Sequence, residues 1–458
     1  MERTPEKWFE LLATRLDARQ PRVKMCRQYV DGNAPLPEMG ENLRASWEAF
    51  QKKARRNLGG LAVGSLADRC VPNGVRIGAV GDSVELDEAR RIWRDNGLDI
   101  VFADAIDDYL TTGVGYIAIG LGSSGDVVVT REMPEQMIAD QDPTRPWKAR
   151  AVLKVWRDEE SRLDYAKLWL TGQWMRFVRR STTLTGTYMQ NAWVPGATGE
   201  DAWQLLDEGE YEGDPPISIL SRKGGAGILE SNHDAIDAIN LGKLNRLVIT
   251  AMQAFRQRAL KKDPKAADLD DKDVDGNDID FRKVFEPAPG ALWDLPEGFD
   301  IWESQATDIR PLLEGEKTDA RDFAALTRTP ISVFIPDGAN QSAEGAASAK
   351  ESQISQAKAE IKRMSPSLDV ALVYALRAVG VDLGTATLQV LWTPPEHVSL
   401  SEKYDAASKA KAAGRSRKGI QRDILGMTPD QIAQEELDLA EEQLSALTLV
   451  ASSGAPVA

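Results

Sequence analysis

Apolar residues recur at helical spacing along one exceptionally long stretch, from residue 342 to residue 380. The residues between them are mostly Ala, Glu, Lys, Gln and Ser, which favour helix, and Ser342 can cap the first amides. The apolar positions are Ala347, Ile354, Ala357, Ile361, Met364 and Leu368. This thin apolar stripe favours packing against copies of the chain or a neighbouring layer. An ordinary core helix is the alternative.

Two features interrupt and precede this predicted helix. Pro366 removes one helical hydrogen bond and its ring clashes with the preceding turn, so we expect a kink within 363–368. Before the helix, the apolar run 331–335 predicts a strand, and small residues after it predict a loop. The loop residues are Pro336, Asp337, Gly338, Ala339, Asn340 and Gln341. A loop held between a strand and a long helix is a positioned segment.

Between Gly115 and Leu220 the apolar period changes to two, which predicts strands. The predicted strands are 116–119, 127–130, 151–156, 165–170 and 174–178, with a hairpin turn at Thr171-Gly172. Half of the 12 tryptophans also lie in this region: Trp147, Trp156, Trp169, Trp174, Trp193 and Trp203. We interpret them as the aromatic packing of a mixed α+β lobe, with a ligand-binding cluster as the alternative.

Helical patterns precede this region. Thr4 followed by Pro5 is a typical helix start, and a second short helix is predicted from Arg22 to Gly32. Further helical patterns cover 43–69, 87–96 and 100–110.

Another pair of helices flanks a polar excursion. Ser231 and Asp234 predict the start of a helix that runs to about Leu260. A polar, aspartate-rich insertion follows, then a β-like run over 281–285 and a second helix over 308–326. This order predicts a stalk with a tip. The C-terminal patterns are a strand over 385–392, helices over 401–413 and 429–447, and a disordered end from residue 452.

Composition narrows the function classes. At 458 residues the chain is long enough for two or more domains, and its net charge of -15 disfavours tight wrapping of nucleic acid. The two cysteines, Cys26 and Cys70, provide no disulfide framework or paired metal motif. No apolar run reaches the ~18 residues that span a bilayer. We therefore expect a soluble, unprocessed protein without a membrane partner, made in a reducing cytoplasm.

Two short sequences match part of a nucleotide-binding motif, but their surroundings do not fit such a site. Gly120, Gly122 and Gly125 fit a dinucleotide fingerprint by spacing, but three valines follow where a helix would have to begin, so a hairpin turn is favoured. The pair Gly242-Lys243 lies within a predicted helix and is not a phosphate-binding loop.

Metal motifs are also incomplete. Asp271, Asp273, Asp275 and Gly276 match the opening of a calcium loop, but Arg282 occupies the position of the bidentate glutamate. A solvated acidic turn is favoured, and weak divalent-ion binding is left open. His233 and His397 lack metal or nucleophile spacing. The residues therefore predict no catalytic group, metal or cofactor.

The order of these parts resembles the bacteriophage portal family, specifically the siphophage head-to-tail connector type, over nearly the whole chain. Pro215-Pro216-Ile217, Gly227 and residues 231–245 resemble the entry into the first stem helix. Residues 327–330, followed by Gln341-Ser342-Ala343-Glu344-Gly345-Ala346, resemble the second stem helix passing into the tunnel loop and the long helix. The family's crown region has its counterpart in a further set of similar residues. These are residues 392–395, Glu402, 405–407, 413–414 and 425–429.

The resemblance implies a domain order: wing over 1–227, stem helices over 228–260 and 308–329, clip over 261–307, strand and tunnel loop over 330–341, long kinked helix over 342–380, wing-return strand and crown helices over 381–451, and disordered tail over 452–458. It also implies a closed homo-oligomeric ring, usually a dodecamer, with double-stranded DNA passing non-specifically through its centre. Residues 336–341 would face the DNA.

The resemblance further implies partners and a location. The clip would dock the terminase large subunit and later the head-tail connector, and we assign this docking to Asp271, Asp273, Asp275 and Asp278. Major capsid and scaffolding proteins would surround the ring at the capsid vertex of the virion, after assembly in the host cytoplasm. Catalysis would belong to the terminase.

Two alternatives are also compatible with the sequence. One is a metal-dependent DNA-processing enzyme of a phage or mobile element, with the clustered aspartates as metal ligands. The other is a different phage adaptor or tail component, which would share the ring but lack the stem and the tunnel loop.

Overall fold

The computed structural model describes residues 3–38, 44–78, 84–180, 202–254, 258–262, 299–303, 308–335, 343–396, 400–427 and 429–453. The chain divides into two compact units, the first comprising Met1–Ala34, Asn57–His233 and Ala324–Ala458, and the second Pro35–Arg56 and Asp234–Phe323. Both contain helices and strands, so the predicted α+β class is confirmed.

The helices in the described ranges are α1 (Pro5–Val30), α2 (Arg44–Ala54), α3 (Leu58–Ala67), α4 (Val84–Asp95), α5 (Leu98–Thr112), α6 (His233–Ala254), α7 (Arg310–Thr327), α8 (Ile331–Phe334), α9 (Ala343–Ala378), α10 (Leu400–Ala412), α11 (Arg417–Ile420) and α12 (Pro429–Ser453). The strands there are β1 (Pro72–Ile77), β2 (Val114–Leu121), β3 (Val127–Glu132), β4 (Met137–Gln141), β5 (Ala149–Asp158), β6 (Leu163–Leu170), β7 (Gln173–Arg180), β8 (Gln204–Glu210), β9 (Ile217–Ser221), β10 (Arg258–Lys262), β11 (Phe299–Glu303) and β12 (Leu388–Trp392).

A five-stranded antiparallel sheet, in the order β4-β5-β6-β7-β8, carries α1 on one face. Phe9 of α1 meets Phe177 and Trp203 edge-on, with ring centroids 5.2 and 5.8 Å apart. Trp203 is fully buried, as the core interpretation of the tryptophans predicts, whereas Trp193 lies outside the described residues. The predicted hairpin at Gly172, where φ is 81°, is confirmed.

The N-terminal helix corrects one prediction. Two helices were predicted, but α1 continues through Pro21 as a single helix. The side chain of Arg19 donates to the carbonyl of Pro134, and that of Gln20 donates to the carbonyl of Glu135. These contacts with the loop before β4 hold the turn that contains Pro21, so the loss of one backbone hydrogen bond does not end the helix.

A three-stranded sheet, in the order β3-β2-β9, lies between α5 and α9. Gly122 and Gly125 form the β2–β3 turn, with φ of 86° at Gly125, so the glycine pattern is a hairpin as predicted. The loop after β9 lies against the end of α5. A Cβ on Gly227 would lie 2.0 Å from the carbonyl oxygen of Thr111, so this approach requires glycine.

A pair of antiparallel strands, β1 and β12, joins distant parts of the chain, with Val75 opposite Val390 and Ile77 opposite Leu388. Strand β12 agrees with the predicted strand near 385–392.

The second unit contains α2, α6, most of α7, and the strands β10 and β11. Here the structure corrects the predicted end of the first stem helix. Helix α6 ends at Ala254, and Arg258–Lys262 forms β10 rather than helix up to Leu260. The reason is a distant partner, because β10 pairs antiparallel with β11, with Lys261 opposite Asp300.

The C-terminal segment contains α10, α11, a π-helical turn over Gln421–Leu425, and α12. The two predicted helices are confirmed. The tail predicted to be disordered from residue 452 is wrong for Ser452 and Ser453, which belong to α12, because no helix breaker precedes Gly454. Residues 454–458 lie outside the described ranges.

Candidate functional site

The loop predicted to face DNA, residues 336–341, lies outside the described residues, so its geometry rests on the two segments that flank it. On the N-terminal side, Arg328 has a φ of 55°, in the left-handed region that few non-glycine residues occupy. The hydroxyl of Thr327 donates to that of Thr329 at 3.1 Å, and the amide of Thr329 donates to the carbonyl of Ala324 at 2.9 Å. This compact turn separates α7 from the approach to the loop.

The segment directly before the loop corrects another prediction. Residues 331–335 were predicted as a strand, but Ile331–Phe334 forms the short helix α8, which packs against α3. The amide of Ile335 donates to the carbonyl of Ile331 at 2.9 Å. A four-residue apolar run has too little length for its periodicity to separate strand from helix, and the described residues include no strand partner for it.

On the C-terminal side of the loop, α9 is one assigned helix that continues through Pro366. The kink predicted at this proline stays a prediction. The buried seam of α9 alternates polar and apolar side chains at heptad spacing. Its members are the buried residues Gln353, Ala357, Met364, Ser367 and Ala371 and the partly buried Glu360. Each of the three polar members has its own hydrogen-bond partners.

Gln353 joins α9 to α3 and to the chain after β12. Its side-chain nitrogen donates to Ser65 Oγ at 2.9 Å, and its side-chain oxygen accepts from Arg69 Nε at 2.7 Å. Arg69 also donates to the carbonyl of Pro395 at 2.7 Å. Because Gln353 is 2% exposed, these bonds compensate the cost of burying its amide.

Glu360 is the second polar member of the seam. One carboxylate oxygen accepts from the hydroxyl of Tyr109, and the other accepts from Arg222 Nη2 at 3.0 Å. Burial, followed by the charge of Glu360, raises the pKa of Tyr109 well above its ordinary value. Tyr109 is therefore a neutral hydrogen-bond donor at physiological pH, and the contact fixes α9 against α5 and the end of β9.

Ser367 makes a reciprocal pair of bonds with β9. Ser218 Oγ donates to the carbonyl of Ser367 at 2.6 Å, and Ser367 Oγ donates to the carbonyl of Ile219 at 2.7 Å. Both serines are buried. The reciprocal bonds hold the helix to one position along the strand, directly beside Pro366.

A second strand contacts the same turn of α9. The carboxylate of Asp369 accepts from the amide of Val390 at 2.7 Å, and Ser365 Oγ accepts from Trp392 Nε1 at 3.0 Å. Burial raises the pKa of Asp369 to about 6, although the hydrogen bond from Val390 opposes the shift. The turn that contains Pro366 is thus held by β9 on one side and by β12 on another.

A groove of about 360 Å³ lies next to this turn. It is lined by Pro146, Trp147, Ile219, Ser221, Ala359, Lys362, Arg363, Pro366 and Ser367. Lys362 and Arg363 are exposed at its edge, so the groove has a cationic rim. Its lining lacks a nucleophile with an adjacent base, so this groove has no catalytic arrangement.

A buried charged cluster is formed by Asp108 of α5, Arg27 of α1, Arg131 of β3 and Glu135. The carboxylate of Asp108 is fully buried and pairs with Arg27 and with Arg131, at 2.6 Å for the latter. Glu135 lies 2.8 Å from Arg27. Burial alone would lower the pKa of Arg27, but Glu135 and Asp108 raise it above its ordinary value. These charges compensate one another, so the cluster is structural rather than catalytic.

The second unit has its own charged contact, between α6 and α7, the helices that the sequence predicts as the stem. Glu316 of α7 accepts from Arg246 of α6 at 2.5 Å and lies 3.6 Å from Arg56. The backbone amide of Arg56 also donates to the buried side chain of Asn240 at 3.0 Å. These contacts connect both helices to the end of α2.

The predicted site residues differ in how far the structure describes them. Asp271, Asp273, Asp275 and Asp278 lie outside the described residues, as does His397. His233 Nδ1 lies 3.0 Å from the carbonyl of Glu230, and its ring meets Tyr29 edge-on. No group of three side chains in the described ranges has a metal-binding arrangement. No described helix is long and apolar enough to cross a membrane.

Sequence reasoning missed the polar members of the α9 seam, Gln353, Glu360 and Ser367. Their signal was available, because the three residues are spaced seven apart and alternate with Ala357 and Met364. The prediction followed apolar positions alone, and this excluded the residues that determine where the helix binds.

The family model described as "Phage portal protein, SPP1 Gp6-like" matches residues 11–446. No curated protein matches the chain. Among solved structures, a chain of "Virion of native gene transfer agent (GTA) particle" is 16% identical with a TM-score of 0.45, and one of "Neck of native GTA particle computed with C12 symmetry" is 15% identical with a TM-score of 0.41. Each match covers 89% of this chain and 99% of the other.

A third structure is an HK97 family phage portal protein from Corynebacterium diphtheriae. It is 12% identical, with a TM-score of 0.32, and the match covers 81% of this chain and 99% of that chain. At TM-scores this low, the likenesses say nothing about function.

Proposed function

The chain belongs to the phage portal protein family of the SPP1 Gp6-like type, and on that premise we propose that its copies form a closed ring, a dodecamer, at the capsid vertex of a virion. Double-stranded DNA passes through the centre of this ring during packaging and ejection. The observation that carries the proposal is the extent of the family match, from residue 11 to residue 446, which includes both compact units.

The anchoring of α9 supports a channel-facing role for the loop before it. Gln353, Glu360 and Ser367 connect α9 to α3, to α5 and to β9, respectively. Bonds at several points along one helix restrain its rotation and sliding. Helix α9, which follows residues 336–341 in the chain, is therefore a fixed element, and a loop that faces passing DNA requires such an element beside it.

The charge balance is compatible with this function. The net charge of -15 does not favour tight binding of phosphates, and translocation requires weak contacts without sequence preference. In this proposal, residues 336–341 make the contacts with DNA, which are transient.

The partners follow from the same function. The segment between β10 and β11, with Asp271, Asp273, Asp275 and Asp278, docks the terminase large subunit and afterwards the head-tail connector. Major capsid and scaffolding proteins surround the ring, which assembles in the host cytoplasm. The portal itself is not an enzyme in this proposal, because the terminase hydrolyses ATP.

The test removes the loop while keeping the ring. In a packaging assay, we expect deletion of 336–341 to leave ring assembly unchanged and to abolish DNA packaging or retention. The matched control replaces the same residues with a Gly/Ser segment of equal length, which keeps the span between α8 and α9. Normal packaging by the deletion variant would contradict the assignment of the loop, and purified protein that never forms rings would contradict the proposed function itself.

The enzyme hypothesis is tested separately. We expect neither the wild-type protein nor an Asp271→Ala/Asp273→Ala variant to cleave DNA in the presence of Mg²⁺. Cleavage that is lost in the variant would restore the metal-dependent enzyme as the function.

A further inference from the structure

The C-terminal helix α12 presents an acidic and apolar surface to solvent. Leu437 and Leu444 are 61% and 65% exposed, and Glu441 lies between them at helical spacing, so the three share one face. Asp438 and Glu442 are exposed on the adjoining stripe. We call these five residues the acidic stripe. From residue 429 to the end, the chain has six acidic and no basic residues, so no cation within the helix offsets the charge.

Helix α10, the turn after it and α11 expose basic residues and one aromatic residue. Tyr404 is 57% exposed on α10, and Lys411 lies on the same face two turns later. Arg415, Arg417 and Lys418 follow in the turn and in α11, and all are exposed. We call Tyr404, Lys411, Arg415, Arg417 and Lys418 the basic face. It combines an aromatic ring with cations, as the acidic stripe combines leucines with carboxylates.

Within one chain, residues of the basic face form ion pairs with carboxylates of α12 only at the start of that helix. Arg417 lies 3.4 Å from Glu435, and Lys418 lies 3.0 Å from Glu436. Beyond Glu436 these pairs end, since within the described ranges no ion pair involves Lys411, Glu441 or Glu442. Arg415 pairs with Asp423 of its own chain, but its side chain is 50% exposed, so its guanidinium can take a second carboxylate. Lys411, Glu441 and Glu442 thus remain available to another molecule.

A second copy of the chain fits as that molecule. A closed ring uses a heterologous contact, in which one surface of each subunit meets a different surface of the next. The acidic stripe and the basic face are two such surfaces, and they are complementary in charge and in apolar content. Every subunit carries both surfaces. When the same contact is repeated around the ring, each acidic stripe and each basic face is covered once.

We propose that the acidic stripe of each subunit packs against the basic face of its neighbour. Leu437 and Leu444 are covered by this contact, and Glu441 and Glu442 pair with Lys411 and Arg415 of the adjacent copy. This inference rests on the proposed ring function and identifies one surface that closes the ring. Exposed charges of this kind steer association and determine which surfaces pair.

The test reverses the charges on each side separately. We expect the Glu441→Lys/Glu442→Lys variant, and separately the Lys411→Glu/Arg415→Glu variant, to lower the fraction of rings at low salt by at least about tenfold. The fraction is measured by mass photometry at equal protein concentrations. The variant with all four changes restores opposite charges across the contact and is expected to recover rings to within about twofold.

A charge-matched control distinguishes this contact from net charge. Glu159→Lys/Glu160→Lys makes the same charge change in the exposed turn between β5 and β6 and is expected to leave the ring fraction unchanged. Rings of the wild type with unchanged assembly of both two-residue reversals would overturn the crown contact and leave the portal function standing. Absence of wild-type rings would overturn the proposed function and this contact together.

Cross-linking keeps the proposal testable if a reversal affects folding. Subunits carrying Lys411→Cys are mixed with subunits carrying Glu441→Cys and treated with a short bismaleimide. The native cysteines, Cys26 and Cys70, are buried, so the introduced thiols react first. The contact predicts linked pairs in the mixture and far fewer in either variant alone. Equal linking in all three samples, or linking in none of them while rings are present, would contradict it.

Discussion

Helices α9 and α12 lie in the same C-terminal part of the chain and have opposite distributions of polar and apolar side chains. In α9, the polar residues Gln353 and Ser367 are buried and each has a hydrogen-bond partner. In α12, Leu437 and Leu444 are exposed among carboxylates. Buried polar groups require particular partners, so they determine how α9 binds within its own subunit. Exposed leucines gain from a partner outside the subunit.

The largest expected effect comes from removing the carboxylate of Glu360 on α9, whose side chain is 12% exposed. Glu360→Leu leaves Arg222 and Tyr109 without their acceptor, so we expect the free energy of unfolding to fall by about 3 kcal/mol. Chemical denaturation followed by tryptophan fluorescence measures this change. Glu441→Leu on α12 is the comparison, with an expected change within about 0.5 kcal/mol. Equal losses in the two helices would remove the distinction between them.

A double variant distinguishes the interaction between Glu360 and Arg222 from the cost of leaving one of the two charges unpaired. Glu360→Leu/Arg222→Leu removes both partners, so its loss is expected to be smaller than the sum of the two single losses. Strict additivity would show that Glu360 and Arg222 do not interact.

The reciprocal serine bonds beside Pro366 are expected to contribute less. Ser367→Ala removes the donor to the carbonyl of Ile219, and we expect a loss of about 1 kcal/mol in the free energy of unfolding. Ser355→Ala, at an exposed position of the same helix, is the control and is expected to be neutral or slightly stabilising. If both serine variants behave alike, β9 does not hold α9 through these bonds.

Protonation of Asp369, in the same turn, makes the stability of the subunit depend on pH. Its pKa rises from 3.8 to about 6 on folding, because burial disfavours the charged form. The native state therefore holds a proton that the unfolded chain has released, and this contribution to stability is full below pH 3.8 and lost as pH rises through about 6. Asp369→Asn keeps an acceptor for Val390 and is expected to flatten this part of the pH dependence.

Thermal unfolding between pH 4 and pH 7 measures the effect of Asp369→Asn, for which we expect a gain of roughly 1 kcal/mol at neutral pH. Asp382→Asn removes an exposed carboxylate and serves as the control. A pH profile for Asp369→Asn that is identical to the wild-type profile would contradict the assignment.

The smallest effect on the subunit is expected in α12. Leu437→Ala/Leu444→Ala truncates exposed side chains, so subunit stability should change by less than about 0.5 kcal/mol. Dilution followed by mass photometry is expected to show faster loss of rings. A large loss of subunit stability would mean that these leucines pack within their own chain.

The sequence predicted the elements whose pattern is local. The antiparallel strands β5, β6 and β7 alternate clearly and are joined by short turns, and the 36-residue helix α9 has helical spacing throughout. The predictions for short segments were wrong because contacts with distant parts of the chain determine the structure of such segments. Arg258–Lys262 is a strand because β11 pairs with it, and Ile331–Phe334 is too short for its period to be read.

The candidate site was predictable in part. The loop over 336–341 and the aspartates from Asp271 to Asp278 followed from composition and resemblance, and they stay predictions. The hydrogen bonds of Glu360 and Ser367 could not be derived from sequence, because their partners on α5 and β9 lie far away along the chain. The heptad spacing of these residues identified the positions but not the partners.

The central claim is that this chain is the subunit of a ring-shaped portal. Light scattering of the purified protein, followed by averaged electron-microscope images of single particles, tests it most directly. We expect rings of about a dozen subunits with a central channel. A stable monomer at high protein concentration, with no rings in the images, would contradict it.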